Sequence, residues 1–482
     1  MQDLFAIWRS GVDGVAPDRL VQDTVIYDKS AKAICIRDEA ISLKNRGRVV
    51  IIGAGKASAL MSLALEQVLL PVFGHKRLTG WVNVPEDCVL PTEAIHLHGA
   101  RPPGLNEPTQ NGVNGTREML KLLGDLQPED LCFCLLSGGG SALLPAPVTG
   151  ISLEEKSELT RFLSTSGATI NELNTVRKQL SEIKGGGIRR LCSGKTLLTL
   201  ILSDVLGDPL DIIASGPTVE NSTGPKEALE VLNRWNLGTR YPQFAGIYEY
   251  LCKKAKLEEC GRDVRAPNRR ESINDSLHRN IVIGNNAVAV DAAGVEAERR
   301  GYSHAMVSAK QSEGAAEEVG RHLLKIAQSM AHDGSGPNCL ISGGEPTVRL
   351  PDHSNEPDHS NEPDHSNEPG AYAPGKGGRN QQLILAVLVE LFKHRENTGP
   401  LGFEILSGGT DGEDGPTDAA GAFLNDTVWQ NALQRNNLDP VDYLNRCDAY
   451  HYFEQIGGLL KTGPTGTNVC DLRVIVVPER KT

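Results

Sequence analysis

The side chains best placed for chemistry lie in short glycine-rich segments, several of which follow an apolar run. Gly53-Ala54-Gly55-Lys56-Ala57-Ser58 comes first. A tight turn into a helix start points backbone N–H groups at an anion, and Lys56 sets an ammonium beside them. Neither common nucleotide fingerprint fits. Ser58 stands where G-x-G-x-x-G needs its third glycine, and a P-loop needs four residues between its glycines where this chain has one. From this segment alone, a solvated lysine on a helix start accounts for Lys56 equally well. Ser137-Gly138-Gly139-Gly140-Ser141 supplies five consecutive amides and two hydroxyls. It reads as a phosphate or carboxylate site, because a flexible linker seldom follows a buried strand.

After Asn174, the side chains of Arg177, Lys178 and Lys184 gather cations near Gly185-Gly186-Gly187 in a chain that is acidic overall. Such a local reversal of sign suits an anionic ligand, with an exposed basic helix face as the alternative. Asp204 and Asp208, four apart after an apolar run, suit Mg²⁺ ligation or acceptance of a hydroxyl proton; turn-forming aspartates are the other reading. The same pattern recurs in the second half, at Gly343-Gly344-Glu345, Gly377-Gly378-Arg379 and Gly409-Thr410-Asp411. Arg379, at a helix start behind glycines, is a candidate bidentate clamp on a carboxylate or a transferring phosphoryl group. His96 and His98 read as a polar strand edge, and no G-x-S-x-G elbow, H-E-x-x-H pair or zinc spacing occurs.

Positioning these loops requires strands and helices in alternation. Strands are expected at 48–52, 80–84, 131–136, 196–202, 280–283, 305–307, 338–342, 403–406 and 472–477, with helical patterns between them. Continuous Val, Ile and Leu runs belong to strands buried on both faces, so the fold class is α/β: two Rossmann-like domains with mostly parallel sheets and an active-site cleft between the domains. A polar stretch places a linker at 261–279, between a first domain at 1–260 and a second at 280–482 that opens with Ile281 to Asn285. The Asp-His-Ser-Asn-Glu-Pro repeats at 351–369 contain nothing apolar to bury and read as a structureless insertion.

The chain has 482 residues, enough for two or three cores, and a net charge of −12, which argues against a polyphosphate backbone as partner. No window of about 18 apolar residues suggests a membrane span. Ten cysteines without a C-x-x-C pair suit a reduced compartment, so a cytoplasmic protein is expected, a mitochondrial form being compatible. The expected partner is a small molecule, and a homodimer is compatible with the reading.

Taken in order, Gly53 to Ala57, Leu136 to Leu143, Leu173 to Lys178 and Ser203 to Asp208 resemble the N-terminal domain of the class II glycerate kinases. Ser342 to Thr347, Gly377 to Gln381 and Gly409 to Thr417 resemble the MOFRL domain of that family, at about 336–475. The animal members look nearest. The resemblance implies ATP-dependent phosphorylation of D-glycerate with Mg²⁺. It makes Lys56 and Arg379 active-site residues; on the reading of the residues themselves, Asp204 is a third catalytic candidate and the candidate Mg²⁺ ligand, with Asp208 or Asp411 as alternatives. Gly53, Gly55, Ser137, Gly138, Gly139, Gly140, Ser141, Asn174, Arg177, Lys184, Asn285, Gly343, Gly344, Glu345, Thr410 and Asp411 would then contact substrate or ATP. 2-Phosphoglycerate is the usual product of the family, and 3-phosphoglycerate is ascribed to animal members. Alanine at Lys56 or Arg379 is expected to cut turnover by orders of magnitude without unfolding. Two other readings stand beside this one: an NAD(P)H-dependent reductase of hydroxypyruvate or tartronate semialdehyde, suggested by the Gly53-Ala54-Gly55 turn, and a nucleotide-binding protein without turnover.

Overall fold

The computed structural model describes residues 2–44, 46–192, 196–260, 277–332, 336–350, 375–393, 399–435 and 437–478. The chain divides into two compact units, Pro17–Gly284 and Met1–Ala16 with Asn285–Thr482. Both are α/β.

In the unit Pro17–Gly284 the main sheet contains β1 (Val49–Ala54), β2 (Leu78–Pro85), β3 (Ile95–Arg101), β4 (Leu131–Leu136), β5 (Thr196–Leu202) and β6 (His278–Gly284). All five pairings are parallel and the spatial order is β3-β2-β1-β4-β5-β6. Strand order reverses between β1 and β4, the topological position at which open α/β sheets place ligands, at the carboxyl ends of the strands. Every residue of β1, β4 and β5 is buried, which is why their sequences read as unbroken apolar runs. A helical layer with its own apolar core (Leu159, Leu163, Val176, Leu232, Leu251) accompanies the sheet. Its helices Leu153–Thr165 and Ile170–Gln179 each open on a capping box, Ser152 with Glu155 and Thr169 with Glu172, so both starts are written in the sequence. An antiparallel meander, Val25–Asp28, Ala33–Ile36 and Glu39–Ser42, completes the unit.

The other unit has a six-stranded sheet of β7 (His304–Ser308), β8 (Cys339–Gly344), β9 (Glu404–Gly409), β10 (Gly421–Leu424), β11 (Leu459–Leu460) and β12 (Asp471–Val476), in the order β7-β8-β12-β9-β10-β11. Only β7–β8 is parallel. β12 enters antiparallel between β8 and β9, and β10 and β11 follow antiparallel. A parallel neighbour needs a long crossover, usually helical, whereas the segment from Leu460 to Asp471 contains no helix.

The division differs from the sequence expectation in two ways. Strand 278–284, expected to open the second domain, pairs with β5 and closes the first sheet. Helix Gln2–Asp13 joins the other unit instead, where Leu4, Ile7, Trp8 and Val12 enter its core and Trp8 Nε1 donates to Gly408 O at 3.5 Å. Which sheet a buried strand joins is a matter of register against neighbours, and no local pattern records it. Most of the expected linker and the repeats at 351–369 lie outside the described residues. No described helix is long and apolar enough to cross a membrane, and all ten cysteines are free thiols.

Candidate functional site

At the crevice of the first sheet, the loops after β1 and β4 are stitched together. Lys56 N donates to Gly138 O at 2.9 Å, Ser137 N to Ala54 O at 3.2 Å and Ala57 N to Ser137 Oγ at 3.1 Å. Ser58 Oγ, in the position that a dinucleotide fingerprint gives to glycine, lies 3.0 Å from Ser137 Oγ. Gly55 has φ +146° and a Cβ there would stand 2.0 Å from Ser137 Oγ, so only glycine permits the approach. Gly53 packs just as closely, on Leu135 O. Of the five expected amides, those of Ser137 and Gly140 are used within the loops. Those of Gly138, Gly139 and Ser141 make no hydrogen bond among the described residues.

Cations converge on the end of this loop. Arg177 Nη2 donates to Ser141 Oγ at 2.7 Å, and Lys184 Nζ donates to Ser141 O at 2.7 Å and to Ser141 Oγ at 2.6 Å. Ser215 Oγ lies 3.0 Å from Ser141 Oγ and donates to Asn174 Oδ1 at 3.3 Å. Ser215 and its neighbour Ala214 hold φ values of +63° and +50°, a conformation costly for residues with a Cβ and often kept where a site requires it. Burial pushes the Arg177 and Lys184 pKa values down, that of Lys184 further through repulsion from Arg177 and Lys156. Lys156, on the buried face of its helix beside Leu153, Leu159 and Leu163, is lowered to about 7 by burial and then by Arg177. No carboxylate offsets any of these three shifts. Arg101, at the end of β3, leans over the same loop: a Cβ on Gly139 would meet its Nη2 at 3.0 Å. Lys156, Arg101 and Ser215 are not among the site residues expected from the sequence. The signal for Lys156 was its place in an apolar i, i+3 stripe; Arg101 and Ser215 left none.

Asp204 and Asp208 follow β5, both partly buried. Asp208 sits at φ +54° and its N–H returns to Val205 O, which is turn geometry. Among the described residues no three His, Cys, Asp or Glu side chains cluster as a metal cage.

In the other unit, the glycine loops surround a different kind of centre. Arg379, at the start of helix Arg379–Phe392, donates through Nε and Nη2 to the two oxygens of Asp471 at 2.8 and 3.1 Å, and through Nη1 to Glu345 Oε1 at 2.8 Å. Burial opposes its charge, but Asp471 and Glu345 outweigh that and raise its pKa. Burial raises the Glu345 carboxyl, with Arg379 pulling the other way. Asp414 caps the helix from a distance, accepting from Asn380 N at 3.0 Å and Gln381 N at 2.8 Å, and burial holds its carboxyl up at about 7. Asn380 Nδ2 bridges Asp414 and Asp471 at 3.2 and 3.0 Å. Arg473 pairs with Glu313 through both Nη atoms.

Several expected ligand residues of this unit have their functional atoms engaged in structure instead. Asn285 Oδ1 caps helix Asn286–Arg299 at Val288 N. Thr410 is fully buried, its hydroxyl donating to Cys470 O and accepting from Val469 N. Gly343 and Gly344 are close-approach glycines against Asn286 and Glu313. Asp411 Oδ1 accepts from Glu413 N at 3.1 Å within its own turn. The sequence reading had no signal that Asp471, at the head of an apolar strand, is the partner of Arg379.

Comparison with known proteins agrees with this architecture. A family model described as a domain of unknown function (DUF4147) matches residues 3–246, and the MOFRL family model matches 338–471. Glycerate kinase of Rattus norvegicus is 33% identical over 98% of this chain and 92% of its own length. A protein of Agrobacterium vitis named putative hydroxypyruvate reductase is 35% identical over 89% of this chain and 100% of its own. The crystal structure of glycerate kinase from Thermotoga maritima superposes with a TM-score of 0.76 at 30% identity, covering 99% of both chains. With its DUF4147 and MOFRL segments in order and near-complete overlap with these relatives, the chain belongs to the MOFRL-type, class II glycerate kinase family.

Proposed function

We propose that the protein transfers the γ-phosphate of ATP to D-glycerate, the 2-hydroxyl being the preferred acceptor. The observation that carries the reading is the pocket at Ser141: free amides and buried cations without counter-charge, in a member of this family. A polyphosphate supplies the missing negative charge, and phosphoryl transfer is catalysed by such positioning and charge neutralisation. The glycerate hydroxyl oxygen bonds to the γ-phosphorus as the bond to the β-phosphate oxygen breaks, and the hydroxyl proton passes to a carboxylate, to which we assign Asp204. Mg²⁺ commonly uses one or two carboxylates and completes its shell with phosphate oxygens and water. Asp204, at the carboxyl end of β5, fits that donor set and Asp208 is the alternative; the ion would neutralise charge on the phosphates.

Lys56 and Arg379 are assigned to substrate. Three of the five guanidinium N–H groups of Arg379 are engaged by Asp471 and Glu345, so two remain to meet a carboxylate. This changes the informative variant. Arg379→Ala leaves Asp471 buried without its partner and is expected to unfold the loop, so Arg379→Lys is the test of function, with turnover falling at least about a hundredfold. Lys56→Ala should lower turnover by a comparable factor with the fold intact.

The deciding measurement is ADP release with D-glycerate and Mg-ATP, with the phosphorylated carbon read by ³¹P NMR. Release independent of glycerate would overturn the reading. One observation favours a reductase, the name of the Agrobacterium relative; steady NADH oxidation with hydroxypyruvate would establish it.

A further inference from the structure

We propose that the Lys156 ammonium is a direct ligand of a phosphate group bound over the Ser137–Ser141 loop, completing a three-cation pocket with Arg177 and Lys184. This deepens the reading above and rests on it for the anion being a phosphate of ATP.

Four lysines of this unit are more than nine-tenths buried: Lys156, Lys178, Lys184 and Lys254. Three have polar partners. Lys178 faces Asp211 at 3.5 Å, Lys184 donates to Ser141, and Lys254 donates to Gln179 O at 2.8 Å. The Lys156 ammonium makes no hydrogen bond or ion pair among the described residues, the bonds of this residue being those of its backbone. An ammonium taken out of water without a partner is strongly unfavourable, and the apolar stripe Leu153, Leu159, Leu163 would accept leucine at 156. Folding therefore gives no reason for a lysine here, whereas an anion does. The location agrees, since the helix that carries Lys156 packs against Ile170–Gln179, which carries Arg177, and the side chains of Arg177 and Lys184 end on Ser141 Oγ.

The surroundings make binding proton-linked. Helix Ile170–Gln179, packed against the Lys156 helix, brings Arg177, with Lys178 paired to Asp211 and Glu172 to Arg234. The turn Pro242–Phe244 brings no titratable group, and on the helix itself Glu155 is held by the Ser152 cap while Glu154 and Glu158 are exposed. With a pKa near 7 in the unliganded pocket, Lys156 is partly neutral at pH 7, and an arriving phosphate restores its proton.

Titration calorimetry of pyrophosphate and of Mg-ATP, at pH 7 in two buffers of different ionisation enthalpy, tests this on the full chain. Wild type should bind both with net proton uptake. Lys156→Met should bind at least about tenfold more weakly, with smaller uptake than wild type, and should melt higher when unliganded because a buried charge has gone. Lys156→Arg, which keeps the charge but does not titrate, should retain affinity within a few-fold and take up fewer protons than wild type. Methionine and arginine variants that match wild type in affinity and uptake would overturn the role of Lys156 and leave the kinase reading standing. A wild type that turns over glycerate but binds pyrophosphate with no uptake would likewise remove Lys156 alone. A wild type that binds neither anion would remove both.

Discussion

Arg177 and Arg379 are both partly buried guanidiniums beside glycine-rich strand ends, yet their surroundings have opposite sign. Around Arg177 stand Lys184, Lys156 and a serine hydroxyl, with no carboxylate among the described residues countering their pKa shifts. Around Arg379 stand Asp471 and Glu345, with Asp414 one hydrogen-bonded step away through Asn380. A buried ion pair satisfied within the chain holds the fold; a buried cation group left unsatisfied leaves work for a ligand. Neighbouring motif types thus serve different ends. In the first unit the loop faces an anion, and in the second much of the loop chemistry is spent on holding one arginine and one helix start.

The largest effect that separates the two regions is on stability. Asp471→Ala strands Arg379 and removes a partner of Asn380, and should cost about 3–5 kcal/mol in denaturant unfolding; a loss below about 1 kcal/mol would mean that the Arg379 centre is not scaffold. Next comes affinity. Arg177→Met and Lys184→Met should each weaken Mg-ATP binding about 10- to 100-fold while changing unfolding free energy by no more than about 1 kcal/mol. If either unfolds as readily as Asp471→Ala, the contrast between the regions fails.

The pH dependence of unfolding sharpens the contrast, because the two regions titrate in opposite senses. The Asp414 carboxyl rises from its ordinary 3.8 to about 7 on folding, so the folded chain holds the extra proton between those values and stability falls as pH rises from about 4 to 7. Lys156 falls from 10.5 to about 7, so the unfolded chain holds the extra proton and stability rises from about pH 7 to 10. Each group contributes at most about 1.4 kcal/mol per pH unit, and Asp414→Asn and Lys156→Met should reduce the acid and the alkaline slope respectively. The smallest effect is expected at Ser215. Glycine there relieves a positive φ but removes a hydroxyl from Ser141, so stability should stay within about 1 kcal/mol while ATP affinity drops a few-fold.

Much of the framework was legible in the chain. All nine expected strands are present, two of them (131–136 and 196–202) with the same ends, because a strand buried on both faces must be continuously apolar. Strands β10 and β11 and the N-terminal meander escaped the reading, being short and flanked by polar residues. Within the site, Ser141, Asn174, Arg177 and Lys184 lie together as a group. They were found because glycines and cations concentrate beside a strand end. Lys156 was missed because a lysine in an apolar stripe looks like a lapse in the pattern until the neighbouring helix supplies Arg177.

By itself the sequence determined the α/β class, the positions of the strands and glycine loops, and the family. These depend on local composition and order along the chain, which short-range sterics and burial translate directly into elements. Tertiary structure alone decided that strand 278–284 closes the first sheet, that the first helix packs with the second unit, and that Arg379 is neutralised while Arg177 is not. The reason is that strand register and charge compensation join residues up to hundreds of positions apart, and the energy of a charge depends on what is buried beside it rather than on what precedes it in the chain.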